Sequence, residues 1–263
     1  MRGDDRQLVP RFHAHLHDVW SRLAGSIPGG WVGDAGGLRC IATGSVSPSF
    51  NLALSGDDVH DARLALDQAH ERFEEAGLRW LLKLQPELDQ ALVTHARGRG
   101  LHLDEEPVYG MALRTWAASR PSPSPLSIRL AADRIGDAVL CLAEGFDADP
   151  ESLGRELGAN LLTIPTFTVF VGYLDGEPVA SSMLATTSEV GLAGIYSVAT
   201  RPAHRGRGFG TALTAAALTE AVRQGYETAV LEPSPSGARL YRRMGFEPVT
   251  TYLEVVIAPP DGS

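Results

Sequence analysis

The sequence predicts a mixed α/β fold made of two similar halves, and three observations support this prediction. Segments typical of strands and helices alternate along the 263 residues of the chain. An apolar strand at residues 190–199 leads into a loop rich in glycine and arginine, and an alanine-rich helix follows directly. A proline and serine run at residues 118–125 divides the chain into two nearly equal parts, and this composition suits a linker.

The second half contains the clearer pattern of elements. Its apolar residues recur at helical spacing in some segments and form short strand-like runs in others, and the Asp-Gly pair at residues 175–176 favours a tight hairpin. The last strand is expected to close the sheet of this half. Strands are expected at residues 127–131, 166–174, 178–187, 190–199, 228–232 and 246–257, and helices at 135–144, 150–162, 208–224 and 236–244.

The first half repeats this outline with weaker motifs. An opening helix precedes two strands, and helices and strands then alternate up to the linker. Because the order of elements is similar, the first half looks like a decayed copy of the second. Helices are expected at residues 6–24, 59–76 and 87–96, and strands at 38–43, 51–54, 80–84 and 108–116.

The glycine-rich loop has the chemistry of a pyrophosphate site. Gly206, Gly208 and Gly210 let the backbone approach a ligand, and the free N–H groups at the start of the next helix attract anions. Arg205 and Arg207 add two positive charges. The chain has no Walker motif, and the loop is neither placed nor spaced as in a dinucleotide-binding fingerprint. For such a loop taken alone, a tight turn without a ligand is the alternative.

Two motifs together are more specific than the loop alone. The loop reads R-x-x-G-x-G at residues 205–210, and L-Y-x-x-x-G-F follows at residues 240–246. This combination resembles the GNAT superfamily of acetyl-CoA-dependent N-acetyltransferases. The resemblance covers residues 127–256, and the first 117 residues only in outline. It implies two tandem copies of the acyl-CoA N-acyltransferase fold, with acetyl-CoA as cosubstrate and no metal.

The resemblance also implies roles for the residues around the loop. In that fold the strand before the loop and the strand after the main helix splay apart, which frees their backbone to bind the pantetheine arm. The Val198 amide would then polarise the thioester carbonyl, although ordinary strand packing explains residues 198–200 equally well. Ser234 lies where the family often has an asparagine. The implied cofactor-binding residues are Val198, Ala199, Thr200, Arg205, Gly206, Arg207, Gly208, Phe209, Gly210, Thr211 and Ser234.

Tyr241 is the expected general acid, because a phenol with a pKa of about 10 can protonate a departing thiolate. A tyrosine that packs on the sheet is the alternative. Many family members carry a glutamate in the strand before the loop, but Gly194 stands at that position. Glu232 is the expected replacement base and Glu189 a second candidate. Either one can also be a solvated surface carboxylate, and a water chain to backbone carbonyls could take the proton instead.

The first half departs from the family pattern where the cofactor would bind. Asp57 and Asp58 precede its main helix in place of an arginine and glycine loop, and two carboxylates there would repel a pyrophosphate. Ala96 stands at the position that corresponds to Tyr241. We therefore expect residues 1–117 to form a degenerate domain without CoA, residues 126–258 to form the catalytic domain, and residues 259–263 to be a tail.

Composition limits the partners of the chain. A net charge of −9 disfavours nucleic acid or an anionic membrane surface as the main partner. The start of the sequence lacks the apolar core of a signal peptide, and no run approaches the length of a membrane span. These features predict a cytoplasmic protein. Cys40 and Cys141 lack metal-ligand spacing and are expected to be buried free thiols.

The sequence therefore predicts an N-acetyltransferase that transfers an acetyl group to a primary amine by direct attack in a ternary complex. The acceptor is expected to be a small molecule or a protein amine. Its cleft is expected to border the acidic loop at residues 144–149, and the chain is expected to be a monomer or a homodimer. The alternative is a catalytically weak acyl-CoA-binding sensor, because the family glutamate is missing. A loop that binds a different nucleotide is a third hypothesis.

Overall fold

The computed structural model describes residues 5–56, 59–103, 108–114, 116 and 125–258. Contacts between Cα atoms divide the chain into two compact units. The larger unit comprises the described residues within Met1–Val19 and Met111–Val249, and the smaller unit those within Trp20–Gly110 and Thr250–Ser263. Three features of the sequence lie outside the described residues: Asp57 with Asp58, the linker up to residue 124, and the tail at 259–263.

Helices and strands alternate as the sequence predicts, in a mixed α/β fold. The helices are α1 (Asp5–Gly25), α2 (Ala62–Glu75), α3 (Gln90–Gly98), α4 (Ile135–Phe146), α5 (Pro150–Glu156), α6 (Phe209–Arg223) and α7 (Ala238–Arg243). The strands are β1 (Trp31–Ala35), β2 (Leu38–Ala42), β3 (Asn51–Ser55), β4 (Trp80–Leu84), β5 (Val108–Arg114), β6 (Ser127–Leu130), β7 (Phe167–Leu174), β8 (Glu177–Thr187), β9 (Leu192–Thr200), β10 (Thr228–Leu231) and β11 (Glu247–Ile257).

Two elements differ from the sequence prediction. Strand β1 was not predicted, because its five residues include glycine and aspartate, which are weak strand formers. The helix predicted over residues 150–162 ends at Glu156 and is followed by a short 3-10 segment, Ala159–Thr163. Gly158 interrupts the two with a non-helical backbone at φ −95° and ψ −136°.

The sheet of the larger unit has the strand order β6-β7-β8-β9-β10-β5. Only β9 and β10 pair in parallel, and the other neighbours are antiparallel. Helix α6 covers this sheet through a core that includes Leu213, Ala217 and Ala221. The alanine side chains allow the helix to approach the strands closely, which places the start of α6 next to the end of β9.

The sheet of the smaller unit has the order β1-β2-β3-β4-β11. Strands β3 and β4 are parallel, and the other pairs are antiparallel. Its core includes Leu66 and Phe73 from α2, with Leu82 from β4. The rings of Phe73 and Trp80 stack with their centroids 4.9 Å apart. The smaller unit therefore has its own apolar core.

The last strand of each sheet comes from the other half of the sequence. Residues 111–114 of β5 pair with β10, whereas residues 253–257 of β11 pair with β4. The expectation that the strand at 246–257 closes the sheet of the second half is therefore wrong. Both strands are long enough and apolar enough to pair with either sheet edge, so their sequences do not specify the partner.

Helix α1 also differs from the expectation that it opens the first half. Its residues up to Val19 belong to the larger unit. Arg11 Nε donates a hydrogen bond to the Val190 carbonyl over 2.8 Å, and the buried His15 lies 2.9 Å from Thr187 Oγ1 through its Nδ1. These side chains attach the helix to the turn between β8 and β9. A helix with the length and apolarity of a membrane span is not found in the described part of the chain.

Candidate active site

The parallel pair β9 and β10 separates after a short contact. Ala193 pairs with Ala229 and Gly194 with Val230, and β9 then continues to Thr200 without further pairing to β10. On its other side β9 remains paired with β8 up to residue 200. Backbone groups of residues 195–200 that face away from β8 therefore lie in a gap between diverging strands. This is the splay that the family resemblance implies.

A bulge lies inside the splayed part of β9. Ser181 pairs with Ala199 and Met183 with Tyr196, so Ser197 and Val198 together oppose one residue of β8. Ser197 has φ +53°, a left-handed conformation that is uncommon for a residue other than glycine. Such bulges change the direction of the backbone and are frequent next to active sites. The bulge falls on the residue whose amide was expected to face the thioester.

The start of α6 is open to an anion. Gly208 precedes the helix in a left-handed conformation at φ +79°, and no side chain caps the first turn. Gly206 has φ +75°, and the space next to both glycines is empty to 4 Å. The first amide groups of α6, from Phe209 to Thr211, lack partners within the helix because of their position. This end of the helix carries a partial positive charge and N–H donors.

Gly210 brings three elements together at this point. A Cβ atom at Gly210 would lie 3.3 Å from Leu240 Cδ1, 3.8 Å from Val198 Cγ1 and 3.9 Å from Thr200 Oγ1. Val198 and Thr200 therefore face α6. Ala199 faces the opposite side of the sheet, where its Cβ would be 2.9 Å from a Cβ atom at Gly145 in α4. The predicted residues 198–200 and 205–211 thus lie close together in the structure.

The two arginines of the loop have different surroundings. Arg205 donates from Nη2 to the Gly145 carbonyl over 2.6 Å and from Nε to the Thr200 carbonyl over 3.2 Å. It therefore ties the loop to α4 and to the end of β9. The guanidinium of Arg207 lies over the Phe209 ring, 4.8 Å from its centroid. Both side chains are exposed, and Arg207 has the freer position for an anionic ligand.

Tyr241 lies on α7 and is buried against the core of the larger unit. Its ring makes an edge contact with Phe246 at 5.8 Å. Burial raises the pKa of Tyr241 to about 12, and a hydrogen bond with Thr214 opposes this shift. The hydroxyl therefore keeps its proton at neutral pH. Its partner Thr214 lies one turn into α6 and donates to the Gly210 carbonyl over 2.8 Å, so Tyr241 lies near the helix start.

The carboxylate candidates lie at different places. Glu232 follows β10 and is partly buried. Burial holds the pKa of Tyr196 well above its usual value, and the charges of Glu232 and Asp18 add to this effect. Glu232 is therefore close to Tyr196 on the splayed strand. Glu189 is exposed in the turn before β9 and accepts a hydrogen bond from Ser188, as a solvated surface carboxylate would.

The acidic loop at residues 144–149 is partly used for structure. Arg201 pairs with Glu144 over 2.8 Å and with Glu177 over 2.6 Å, and the hydrogen bond from Arg201 lowers the pKa of the Glu144 carboxyl. Asp149 caps α5 by accepting from the Ser152 N–H over 2.6 Å. Asp147, in the left-handed conformation that ends α4, lies between them. Of the carboxylates in this loop, Asp147 has the freest position for a cationic acceptor.

Ser234 makes local contacts after β10. Its Oγ accepts from the Gly237 N–H over 3.2 Å and lies 3.2 Å from Ser236 Oγ. The remaining basic side chains of α7, Arg239, Arg242 and Arg243, are exposed. Among the described residues, no group of three or more His, Cys, Asp or Glu side chains is arranged to hold a metal ion.

Both cysteines are free and buried, as the sequence predicts. Burial raises the pKa of each thiol to about 12. The thiols therefore stay protonated at neutral pH and are poor nucleophiles.

Sequence reasoning missed three residues that border the site. Tyr196 and Arg201 lie close to the glycine loop in the sequence, but their partners His15 and Glu144 are distant in sequence. His15 lies far from the motifs, on α1, and a Cβ atom at Gly194 would collide with its Nε2. Two features of the sequence could have pointed to His15. One is the histidine-rich stretch at residues 13–18, and the other is Gly194, which replaces the family glutamate.

Comparisons with known proteins agree with this geometry. Residues 141–246 match the family model described as the acetyltransferase (GNAT) family. A GCN5-related N-acetyltransferase from Kribbella flavida has a similar structure, with a TM-score of 0.70 and 19% identity over 95% of this chain and 95% of that one. A GCN5-related N-acetyltransferase from Sphaerobacter thermophilus has a TM-score of 0.62 and 16% identity, over 86% of this chain and 78% of that one.

A tandem structure is also similar to most of the chain. A tandem GNAT protein from the clavulanic acid biosynthesis pathway has a TM-score of 0.62 and 16% identity, over 87% of this chain and 80% of that one. A search of curated protein sequences gave no match. At these identities the structural neighbours establish the fold, and the family match establishes the class of the segment 141–246.

The splayed strands and the glycine loop occur within a chain of the acyl-CoA N-acyltransferase fold, and the family match identifies an acyltransferase domain in it. The segment 141–246 is a domain of the GNAT acetyltransferase family, within a chain that has the fold of tandem GNAT proteins.

Proposed function

We propose that the chain transfers an acetyl group from acetyl-CoA to a primary amine, by direct attack of the amine in a ternary complex. The observation that carries this proposal is the gap between β9 and β10 beside the uncapped start of α6. Together they offer an anion site and a backbone-lined groove that meet at Gly210. The acceptor is a small molecule or a protein amine.

The pyrophosphate of CoA fits the start of α6. The amides of residues 209–211 supply N–H donors, and the glycines leave space next to the backbone. The guanidinium of Arg205 is hydrogen-bonded to backbone carbonyls and holds the loop in place. The guanidinium of Arg207 lies over the Phe209 ring instead and can supply its charge to the ligand. In this proposal Arg205 acts by positioning the loop, and Arg207 contacts the phosphates.

The pantetheine arm fits the gap at residues 198–200. Backbone groups on the open side of β9 can pair with its amides, as a neighbouring strand would. The bulge at Ser197 and Val198 redirects the backbone at the point where the thioester would lie. A Val198 N–H aimed at the thioester carbonyl would stabilise the oxyanion that develops during attack.

The reaction needs proton transfers at the amine and at the sulfur. Tyr241 is protonated at neutral pH because burial raises its pKa to about 12, so it can give a proton to the departing thiolate. The attacking nitrogen loses a second proton as the amide forms, and this proton can restore Tyr241. The ammonium group of the acceptor must first lose a proton before it can attack. Glu232, whose charge reaches Tyr196, is the carboxylate candidate for this step among the predicted residues.

Calorimetry with CoA and an acetyl-CoA assay with a panel of amines test the proposal. We expect heat of binding at millimolar CoA and release of free thiol with at least one amine. The variant Arg207→Glu should weaken CoA binding about tenfold, because a charge-assisted contact of about 1.5 kcal/mol is lost. Arg223→Glu reverses a charge at the other end of the same helix and should leave CoA binding unchanged.

Three results would contradict the proposal in different ways. Absence of CoA binding would remove the assignment altogether. CoA binding without thiol release for any amine would favour the acyl-CoA sensor. Thermal stabilisation by ATP or NAD but not by CoA would show that the loop binds a different nucleotide.

A further inference from the structure

One arginine connects the last turn of α4 with the end of β9 and the start of β8. Arg201 donates to both carboxylate oxygens of Glu144, from Nε over 2.8 Å and from Nη2 over 3.0 Å. Its Nη1 donates to Glu177 Oε1 over 2.6 Å and to the Pro178 carbonyl over 3.0 Å. A bidentate pair fixes the direction of both side chains as well as their distance. A single guanidinium therefore joins three elements.

The side chain of Arg201 is more shielded than that of an ordinary surface ion pair. Its exposed fraction is 18%, compared with 64% for Arg155, which pairs with Glu151 within α5. Exposed pairs such as the one in α5 contribute little, because solvent screens them. We therefore expect the contacts of Arg201 to restrict motion of α4 against the sheet more than a surface pair would.

The backbone after Arg201 fixes its distance from the glycine loop. Pro202 favours an extended backbone for the residue before it, and Arg201 has φ −55° and ψ 138°. A 3-10 turn over Pro202–His204 follows, and the Arg205 N–H donates to the Pro202 carbonyl over 3.3 Å. This short turn brings Arg201 and Arg205 to the same end of α4.

Arg205 binds the residue that follows Glu144. Its Nη2 donates to the Gly145 carbonyl over 2.6 Å, and its Nε donates to the Thr200 carbonyl over 3.2 Å. Gly145 lies in the last turn of α4, whose carbonyls lack partners within the helix and carry a partial negative charge. A Cβ atom at Gly145 would lie 2.9 Å from Ala199 Cβ, so this turn packs directly on β9. The position of the turn therefore determines where Arg205 is held.

We propose that Arg201 is a positioning residue for the binding of acetyl-CoA, an inference that rests on the proposed acetyltransferase function. Through Glu144 it fixes the last turn of α4. The Gly145 carbonyl then stays within reach of Arg205, which holds the glycine loop with its amides open to the pyrophosphate. Arg201 acts without touching the cofactor, because four hydrogen bonds within the protein use most of its five N–H groups.

A direct electrostatic role of Arg201 is the competing explanation, and the variant Glu144→Gln separates the two. If charge alone mattered, removal of a carboxylate near the glycine loop would strengthen the binding of an anionic ligand. We expect CoA binding to weaken about fivefold instead, because the bidentate contact with Arg201 is lost. Calorimetry with CoA measures the change. Glu151→Gln removes an exposed carboxylate from the neighbouring helix α5 and should leave CoA binding unchanged.

The variant Arg201→Gln tests the positioning role through the kinetic constants. We expect the Kd of CoA and the KM for acetyl-CoA to rise about tenfold, with kcat at saturating acetyl-CoA within about twofold of wild type. A merely structural role would instead reduce the active fraction, which lowers kcat and leaves KM unchanged. Arg201→Lys keeps the charge without the planar fork and should weaken CoA binding about threefold. Arg155→Gln is the matched control and should behave as wild type.

Combined variants test the route through Arg205. In the Arg205→Gln background, Arg201→Gln should have little further effect on the Kd of CoA, since the contact through which it acts is already lost. Arg201→Gln and Glu144→Gln should also have effects that do not multiply. If Arg201→Gln does not fold, Glu144→Gln alone and with Arg205→Gln still decides the question, because the Glu144 side chain is 40% exposed.

The outcomes distinguish this inference from the proposed function. Tighter CoA binding in Glu144→Gln, or wild-type binding in Arg201→Gln, would overturn the inference while the acetyltransferase function stands. A lower kcat with an unchanged KM in Arg201→Gln would also overturn it. Effects of Arg201→Gln and Arg205→Gln that multiply would show that Arg201 does not act through Arg205. A wild-type chain that binds no CoA would contradict both proposals.

Discussion

The larger and smaller units each contain two parallel strands connected by a helix, α6 in the larger unit and α2 in the smaller, but the first turn of this helix is capped differently. In the larger unit Gly208 precedes α6, and no side chain caps it. In the smaller unit the Asp61 carboxylate accepts from the N–H groups of Arg63 and Leu64 over 2.9 and 3.0 Å. The smaller unit thus satisfies its helix amides with its own carboxylate, whereas the larger unit leaves them for a ligand.

The strand ends show the same contrast. In the smaller unit three consecutive residues of β3 pair with β4. Beyond them, Ser55 Oγ and the Gln85 N–H both donate to Asp89 Oδ2 over 2.7 Å. In the larger unit the parallel pairing of β9 and β10 ends at Gly194. The two units share the strand–helix–strand topology, so topology alone does not make a ligand site. What differs is whether side chains of the protein accept hydrogen bonds from the backbone N–H groups at these ends. We accordingly expect CoA to bind only the larger unit.

The strongest test of this comparison is Tyr241→Phe, because Ala96 stands at the corresponding position of the smaller unit. We expect turnover to fall about 100-fold or more if Tyr241 is the general acid, with CoA affinity unchanged. Since burial raises the pKa of Tyr241 to about 12, it stays protonated across the assay range. Steady-state assays should therefore show no alkaline decline from this group below a pH of about 10.

The control for this variant is Tyr226→Phe, which removes a phenol next to the core of the same unit, before β10. It should leave turnover unchanged. Equal activity in Tyr241→Phe and wild type at every pH would remove Tyr241 from the mechanism, and calorimetry with CoA would show whether the site itself is intact.

A smaller effect is expected from Gly208→Val, which makes the helix start of the larger unit unsuitable for an anion. At φ +79° a β-branched residue is strained by about 1–3 kcal/mol. Relief of this strain would shift the amides of residues 209–211, and we expect CoA affinity to fall about tenfold or more. Isothermal calorimetry gives the change in affinity.

Gly225→Val is a matched control for the same helix. Gly225 has φ +87° at the other end of α6, with nothing within 4 Å of its Cβ position. Both variants should lose similar thermal stability, but only Gly208→Val should lose CoA affinity. A similar loss of affinity in both would attribute the effect to stability rather than to the loop.

Much of the fold could be predicted from the sequence, because the helices and strands have clear periodicity and the glycine loop has a specific motif. The boundaries of α6 and β7 are examples that agree within one residue. The partners of β5 and β11 could not be predicted, since an amphipathic strand can pair with either sheet. The sequence also gives no indication that α1 packs on β9. This contact joins residues that are far apart in the sequence, such as His15 and Gly194.

The candidate site shows the same division. The motif at residues 205–210 predicted where the uncapped helix would start, since its glycines permit the left-handed backbone at Gly206 and Gly208. The roles of Arg205 and Glu144 were not predictable, because each depends on a partner in another element. Side chains that bind backbone carbonyls leave no pattern in a single sequence.

The smallest effect is expected from Asp61→Ala in the smaller unit. Removal of this cap exposes the amides of Arg63 and Leu64 and should cost about 1 kcal/mol of unfolding free energy. Chemical denaturation would measure the loss, with the exposed Glu71→Ala on the same helix as a control. Neither variant should create a second CoA site, because Asp89 still bridges the ends of β3 and β4. If calorimetry showed two CoA molecules bound per chain in Asp61→Ala, the cap alone would exclude the ligand from the smaller unit. The difference in CoA binding between the two units would then depend on the single carboxylate of Asp61.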